Sequence, residues 1–217
     1  MNVSAFMTKG PLTVTKYTNI YDAKKIMEDH NIRRLPVLDG DRLVGIVSKS
    51  DIMEATPSDL SKHSIHELNY ILSRMIVSEI MTKHPLTVTP DTPIEVAARL
   101  MRRYKIASLP VLDEGQLIGI ITESDLFDAF IEIMGGNVRG SKLIIPLEDK
   151  PGALANVTHI ISKHGANILS IVTHRRGSER GESLIYIKID QEDASEIVED
   201  LMDIGIPAHS RFEEPIG

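Results

Sequence analysis

The chain has no cysteine and no tryptophan, and aromatic residues make up only 4% of its 217 positions. Without cysteine there can be no disulfide, no thiol nucleophile and no zinc site built on thiolates. With few aromatics, the cores must be assembled from Ile, Leu, Val, Ala and Met. A basic excess is missing too: 24 Lys and Arg stand against 31 Asp and Glu, for a net charge of -7. Proteins that neutralise nucleic-acid phosphates carry a basic stripe, and docking on an anionic membrane surface needs the same. Neither partner is expected. No stretch approaches the run of about 18 apolar residues of a spanning helix. The opening MNVSAFMTKGPLTV lacks the apolar centre of a signal peptide. These absences together fit a cytoplasmic protein.

Catalytic signatures are absent as well. The sequence holds no HExxH, no GxSxG, no P-loop and no glycine-rich dinucleotide loop. The histidines (His30, His63, His66, His84, His159, His164, His174 and His209) are scattered. His63 and His66 stand three apart, but no carboxylate cluster accompanies them. No catalytic residue, no metal site and no cofactor is expected, and the chain reads as a non-enzyme.

What is present is a repeat. VSAFMTKGPLTVT from Val3 aligns with VSEIMTKHPLTVT from Val77, and the match runs on without a gap. Ile32-Arg33-Arg34-Leu35-Pro36-Val37-Leu38-Asp39 falls on Ile106-Ala107-Ser108-Leu109-Pro110-Val111-Leu112-Asp113, and GIVSKSD (Gly45–Asp51) falls on GIITESD (Gly119–Asp125). Each copy reads as strand, helix, strand, strand, helix. In the first, Leu12 to Thr15 is a short strand. Thr18 caps a helix marked by Ile20, Ala23, Ile26 and Met27. Asp39-Gly40 turns a hairpin between Leu35–Leu38 and Leu43–Val47, and Ser48 or Ser50 opens a second helix with Asp51 in its first turn. A unit this small buries too little surface alone, so the copies should pack against each other. Between them, Pro57-Ser58-Asp59 reads as a turn, and Ile65, Leu68, Ile71, Leu72 and Met75 mark an amphipathic connecting helix.

The pattern changes after Gly135-Gly136-Asn137. Leu143–Leu147 reads as a strand, Asp149-Lys150-Pro151-Gly152 as a loop, and Leu154, Val157, Ile160 and Ile161 as a helix stopped by Gly165. Two alternating strands, Asn167–Thr173 and Ser183–Ile189, flank a polar tip at Arg175–Gly181. A last helix through Ala194, Ile197, Val198, Leu201 and Met202 precedes a final strand within Pro207–Phe212.

The doubled motif of glycine, an apolar residue, any residue, Ser/Thr, two more residues and Asp, with Leu-Pro-Val upstream, resembles a pair of CBS domains. The βαββαβ order with Asp-Lys-Pro-Gly-Ala-Leu, together with Lys163-His164-Gly165-Ala166-Asn167-Ile168, resembles an ACT domain. The succession of the two, with Asn69-Tyr70 in the connector and Gly135-Gly136 at the junction, is similar to the bacterial acetoin-utilisation (AcuB-like) CBS–ACT proteins. The fold class expected is α+β: two pseudo-symmetric βαββα CBS motifs packed as a pair, then a ferredoxin-like βαββαβ ACT domain. The boundaries are residues 1–56 for CBS motif 1, 57–76 for the linker helix, 77–134 for CBS motif 2, 135–140 for a second linker and 141–214 for the ACT domain.

The resemblance implies a regulatory ligand sensor. In CBS pairs that bind nucleotides the motif aspartate accepts both ribose hydroxyls, which assigns ribose to Asp51 and Asp125. Ser48, Ser50, Thr122 and Ser124 are hydroxyls at helix starts, where backbone amides also meet phosphate. Cations for the phosphate come from Arg33, Arg34 and Lys49; the same positions in the second copy are Ala107, Ser108 and Glu123, so the two pockets are chemically unequal. AMP, ADP or ATP is the expected ligand. The plainer alternative is that Ser and Thr only cap helices. The ACT resemblance implies an amino-acid site at Asp149, Gly152, Ala153, Leu154 and Asn167, formed between two chains, or else dimerisation alone. The partners expected are thus an adenine nucleotide, an amino acid, a second copy in a homodimer and an unidentified regulated protein. The rival reading is a pure oligomerisation or protein-interaction module with no small-molecule ligand.

Overall fold

The computed structural model describes residues 1–56, 65–175 and 181–215. The Pro57-Ser58-Asp59 turn, His63, Arg176 and Arg180 lie outside the described residues. The chain forms two compact units, Met1–Leu126 and Phe127–Gly217.

The first unit contains both copies of the repeat. In copy 1, strand β2 (Val14–Thr15) leads to helix α1 (Ile20–Asp29), hairpin β3 (Arg34–Asp39) and β4 (Arg42–Ser48), and helix α2 (Lys49–Ala55). Helix α3 (Ile65–Arg74) connects to copy 2, which has the short helix α4 (Val77–Ile80), helix α5 (Ile94–Tyr104), hairpin β6 (Ser108–Asp113) and β7 (Gln116–Thr122), and helix α6 (Glu123–Ile133). Helix α6 begins in the first unit and runs on into the second. The helix-spaced apolar residues read from the sequence face inward: Ile20, Ala23 and Met27 are buried with Leu35, Val37 and Val47, and Leu72 of α3 joins the same cluster. The cap of α1 is Asn19 rather than Thr18. Its side chain accepts from the Asp22 amide, while the Thr18 hydroxyl accepts from the Thr15 amide one turn earlier.

The sheets are not confined to their own copies. Strand β1 (Thr8–Lys9), which the sequence reading did not separate from the strand at Leu12–Thr15, pairs with β7 of copy 2. Its counterpart β5 (Thr82–Lys83) pairs with β4 of copy 1. The orders are β1-β7-β6 and β2-β3-β4-β5. The cores are exchanged in the same sense: Val3 is fully buried among Val88, Ala97, Leu109 and Ile121 of copy 2, and Val77 among the residues of copy 1. This explains the glycine of the repeated motif. A Cβ on Gly45 would stand 2.4 Å from Met81 Sδ, and one on Gly119 2.5 Å from Met7 Sδ. A side chain at either glycine would have to displace that methionine and would crowd the Thr82 or Thr8 carbonyl at 3.1 Å, so glycine suits the close approach of the exchanged segment.

The second unit is built from β8 (Gly140–Glu148), α7 (Ala153–Lys163), β9 (Ile168–Arg175), β10 (Glu182–Ile189), α8 (Ser195–Asp203) and β11 (His209–Glu213). The four strands form one antiparallel sheet in the order β11-β8-β10-β9. Leu143, Ile145, Ile185, Ile187 and Ile189 bury one face of it under Val157, Ile160 and Ile161 of α7 and Ile197 and Leu201 of α8. Lys188 is also buried, which alternation alone would not suggest. Its ammonium donates to the Gly140 carbonyl at 3.0 Å and pairs with Glu213 at 3.4 Å. Burial pushes the Glu213 carboxyl up, but Lys142, Arg211 and Lys188 hydrogen-bond to it and bring it down to about 2.

Candidate binding site

Both motif aspartates sit at a helix start and are held there in the same way. At α2, Ser48 is the N-cap: its hydroxyl accepts from the Asp51 amide, while Asp51 Oδ2 accepts from the Ser48 amide and hydroxyl, each at 2.7 Å. At α6, Asp125 Oδ2 accepts from the Thr122 amide at 2.7 Å and the Thr122 hydroxyl at 2.9 Å. These are reciprocal capping boxes. They use one carboxylate oxygen; among the described residues neither Oδ1 has a donor. A carboxylate offers about four acceptor positions, so each aspartate keeps capacity for a ligand while its rotamer is fixed by the cap.

The two motifs differ in what surrounds them. A cleft of about 620 Å³ between the copies is lined by His30, Asn31, Ile32, Arg33 and Arg34 from the end of α1 to the start of β3, and by Thr8 and Gly10–Leu12 from β1 onward. Copy 2 contributes Ala107, Ile120, Thr122, Glu123 and Ser124. The cations of copy 1 therefore meet the motif of copy 2. Five of the nucleotide-site residues expected from the sequence are brought together here: Arg33, Arg34, Ala107, Thr122 and Ser124. Asp125 is one residue further on, bonded to Thr122. Ser48, Ser50 and Asp51 are not part of this cleft. Lys49 lines a separate depression of about 310 Å³ that it shares with Arg33, Asn31 and Glu28. Ser108 is buried at the start of β6.

Sequence reasoning missed Thr8, Gly10, Pro11, Leu12, His30 and Glu123 as cleft residues. The repeated TKGPLTV and TKHPLTV segments could have singled out the first four. The exchange that carries this segment to the other copy's sheet leaves no mark on a single chain's periodicity.

Of the residues expected for an amino-acid site, Asp149, Gly152, Ala153 and Leu154 fall on the turn after β8 and the start of α7, and Asn167 stands just before β9. Asp149 pairs with Arg175 at 3.2 Å, Leu154 packs on the core, and the Asn167 amide donates to Asp190. Gly152, with φ of 83°, precedes α7. Of these, Ala153 lines a cavity of about 800 Å³ together with Lys150, Asn156, His159, Lys163 and Ile206. Among the described residues no group of His, Asp or Glu could hold a metal ion, and no helix is long and apolar enough to cross a membrane.

Comparison with known families identifies both parts. The CBS domain model matches residues 3–58 and 77–132, and the ACT domain model matches residues 143–205. The chain belongs to the CBS-domain family. It is a CBS pair followed by an ACT domain, and both are regulatory modules. An inosine-5'-monophosphate dehydrogenase from Korarchaeum cryptofilum is 32% identical over 88% of this chain, although the match spans only 40% of that enzyme. Among the solved structures similar to the CBS pair are three from different proteins. AcuB from Vibrio cholerae is 30% identical over 62% of this chain and 93% of its own, with a TM-score of 0.52. CBSX2 in complex with AMP is 33% identical over 61% of this chain and 97% of its own, at 0.51. The CBS pair of protein MJ0100, in complex with 5'-methylthioadenosine and S-adenosyl-L-methionine, is 31% identical over 60% and 95%, at 0.50.

Proposed function

We propose that this chain is a non-catalytic regulatory sensor in which the CBS pair holds an adenine nucleotide and the ACT domain joins two chains. One observation carries the reading: the cleft sets two guanidinium groups, Arg33 and Arg34, against the Thr122–Ser124 helix start, with Asp125 fixed beside it. Guanidinium groups bind phosphate through paired hydrogen bonds, and an ionised acceptor next to them suits a ribose diol. The AMP bound by CBSX2 and the adenosyl ligands bound by MJ0100 support the choice of ligand class.

The ACT part fits a dimer. Strand β9 is an outer strand of eight residues whose far edge has no partner among the described residues, and Ile171 on it is exposed. Such an edge is a template for a second copy. Between two such domains, Asp149, Gly152, Ala153, Leu154 and Asn167 would hold an amino acid. Ligand binding would shift the population of two arrangements of the CBS pair, and a regulated protein would read the shift. A cytoplasmic setting suits such a sensor.

The capping boxes favour one rival, a plain assembly module in which Asp51 and Asp125 only start helices. Titration calorimetry and thermal shift with AMP, ADP, ATP and S-adenosylmethionine separate the two. Binding at micromolar to sub-millimolar affinity, about -5 to -8 kcal/mol, is expected, with a rise in melting temperature. No heat and no shift with any of them would leave the assembly module.

A further inference from the structure

We propose that Glu123 sets how much negative charge the cleft accepts on the 5'-substituent of its ligand, favouring adenosine with one phosphate over adenosine with three. The inference rests on the adenine-nucleotide reading above.

Its basis is a sign reversal between structurally equivalent positions. Lys49 and Glu123 are each the first residue of their helix, one residue after a Ser or Thr cap. Each fixes its backbone in the same way: the Lys49 amide donates to the Arg33 carbonyl at 2.9 Å, and the Glu123 amide to the Ala107 carbonyl at 3.2 Å. The fold therefore accepts either sign here. Copy 2 carries the anion, and it lines the cleft that holds Arg33 and Arg34.

The formal charge of that cleft is close to balanced. Arg33, Arg34 and Glu123 all line it, and Asp125 is bonded to the lining residue Thr122. A single phosphate can be neutralised by the arginines. Each further phosphate adds negative charge, which finds no third Lys or Arg among the residues lining the cleft, where His30 is the remaining titratable side chain, and meets the Glu123 carboxylate instead. A site for a triphosphate would carry a cation at this helix start, as copy 1 does with Lys49.

The test is titration calorimetry of adenosine, AMP and ATP on the full-length protein and on Glu123→Gln and Glu123→Lys. Wild type is expected to bind AMP more tightly than ATP. Glu123→Lys changes the local charge by two units and is expected to raise ATP affinity relative to AMP by at least about tenfold, which a single unit-charge pair already supplies at roughly 6 Å with an effective dielectric of about 40, between the near-surface and bulk-water values. Glu123→Gln should fall between the two, adenosine should move by less than about twofold, and the effect should shrink at high salt. An ATP-to-AMP ratio that Glu123→Lys leaves unmoved, or wild type preferring ATP, overturns the inference while the nucleotide reading stands. If none of the three ligands binds wild type, the nucleotide reading falls and this inference falls with it.

Discussion

Asp125→Ala and Asp51→Ala should cost the same stability and different affinity. Each aspartate accepts two hydrogen bonds from its cap residue, at 2.7 and 2.9 Å for Asp125 and at 2.7 Å twice for Asp51. Losing such a cap costs about 1–2 kcal/mol, and for a unit of this size that lowers the melting temperature by roughly 3–8 °C. The two substitutions are therefore matched controls for folding. Affinity should separate them. If Asp125 Oδ1 holds a ribose, the lost bonds to an ionised acceptor are worth about 1.5–3 kcal/mol, a fall of roughly ten- to a hundredfold. Asp51 stands outside the cleft that contains Arg33 and Arg34, so Asp51→Ala should change affinity for AMP by less than about threefold, a shift of under about 1 kcal/mol. Circular dichroism melts and calorimetry on each variant and on the double give both quantities. If the two variants lose affinity equally, the cleft between Arg33 and Thr122 is not the principal site. If a folded double variant binds AMP as wild type does, both aspartates are helix caps and nothing more.

Three further outcomes are expected. Arg33→Ala or Arg34→Ala should weaken AMP by about ten- to a hundredfold, in line with a charged hydrogen bond of about 1.5–3 kcal/mol, and adenosine much less; equal weakening of both ligands would show that neither arginine touches phosphate. Removing residues 140–217 should lower the oligomeric state in sedimentation or light scattering while nucleotide affinity changes by less than about tenfold, the scale of ordinary coupling energies. Glu213→Gln should destabilise the ACT domain at neutral pH. Because the Glu213 carboxyl is depressed from 4.5 to about 2, its contribution is complete above about pH 4.5 and fades as the pH falls toward 2. Unfolding midpoints of wild type and variant should therefore converge in acid, and a gap that stayed constant down to pH 2 would refute the assignment.

Much of the fold was legible because its period is local. The helix spacing of Ile20, Ala23 and Met27 and the alternation of Ile185, Ile187 and Ile189 each name a buried face directly. The hairpin at Asp39-Gly40 follows from turn chemistry, and Gly40 has φ of 61°. The Ser48 cap with Asp51 and the unequal cations at positions 33, 34, 107 and 108 could also be read from spacing and from the repeat. What could not be read was long-range. Lys188 looked like an outward residue of an alternating strand, but the Gly140 carbonyl and Glu213, far away in sequence, meet its charge and let it be buried. That Arg33 and Arg34 share a cleft with Thr122, while Ser48, the hairpin partner of Arg34, lies outside it, depends on how the copies face each other, which no window of sequence encodes. The repeat sets Glu123, an anion that would repel phosphate, where copy 1 has Lys49; its place in one cleft with the arginines needed the structure.

The exchange of β1 and β5 means that the unit of repetition in the sequence is not the unit of folding. Residues 1–56 alone would carry Val3 and Met7 with no copy 2 core to enter, and would lack Val77 and Met81 for their own. A single repeat is thus an incomplete body with a projecting arm and a vacant slot of matching shape. Two such bodies complete each other by swapping arms, a low-cost route to a symmetric pair. Within one chain the two arms and the two slots have different sequences, so the halves need not be alike, and Lys49 and Glu123 carry opposite signs in one molecule.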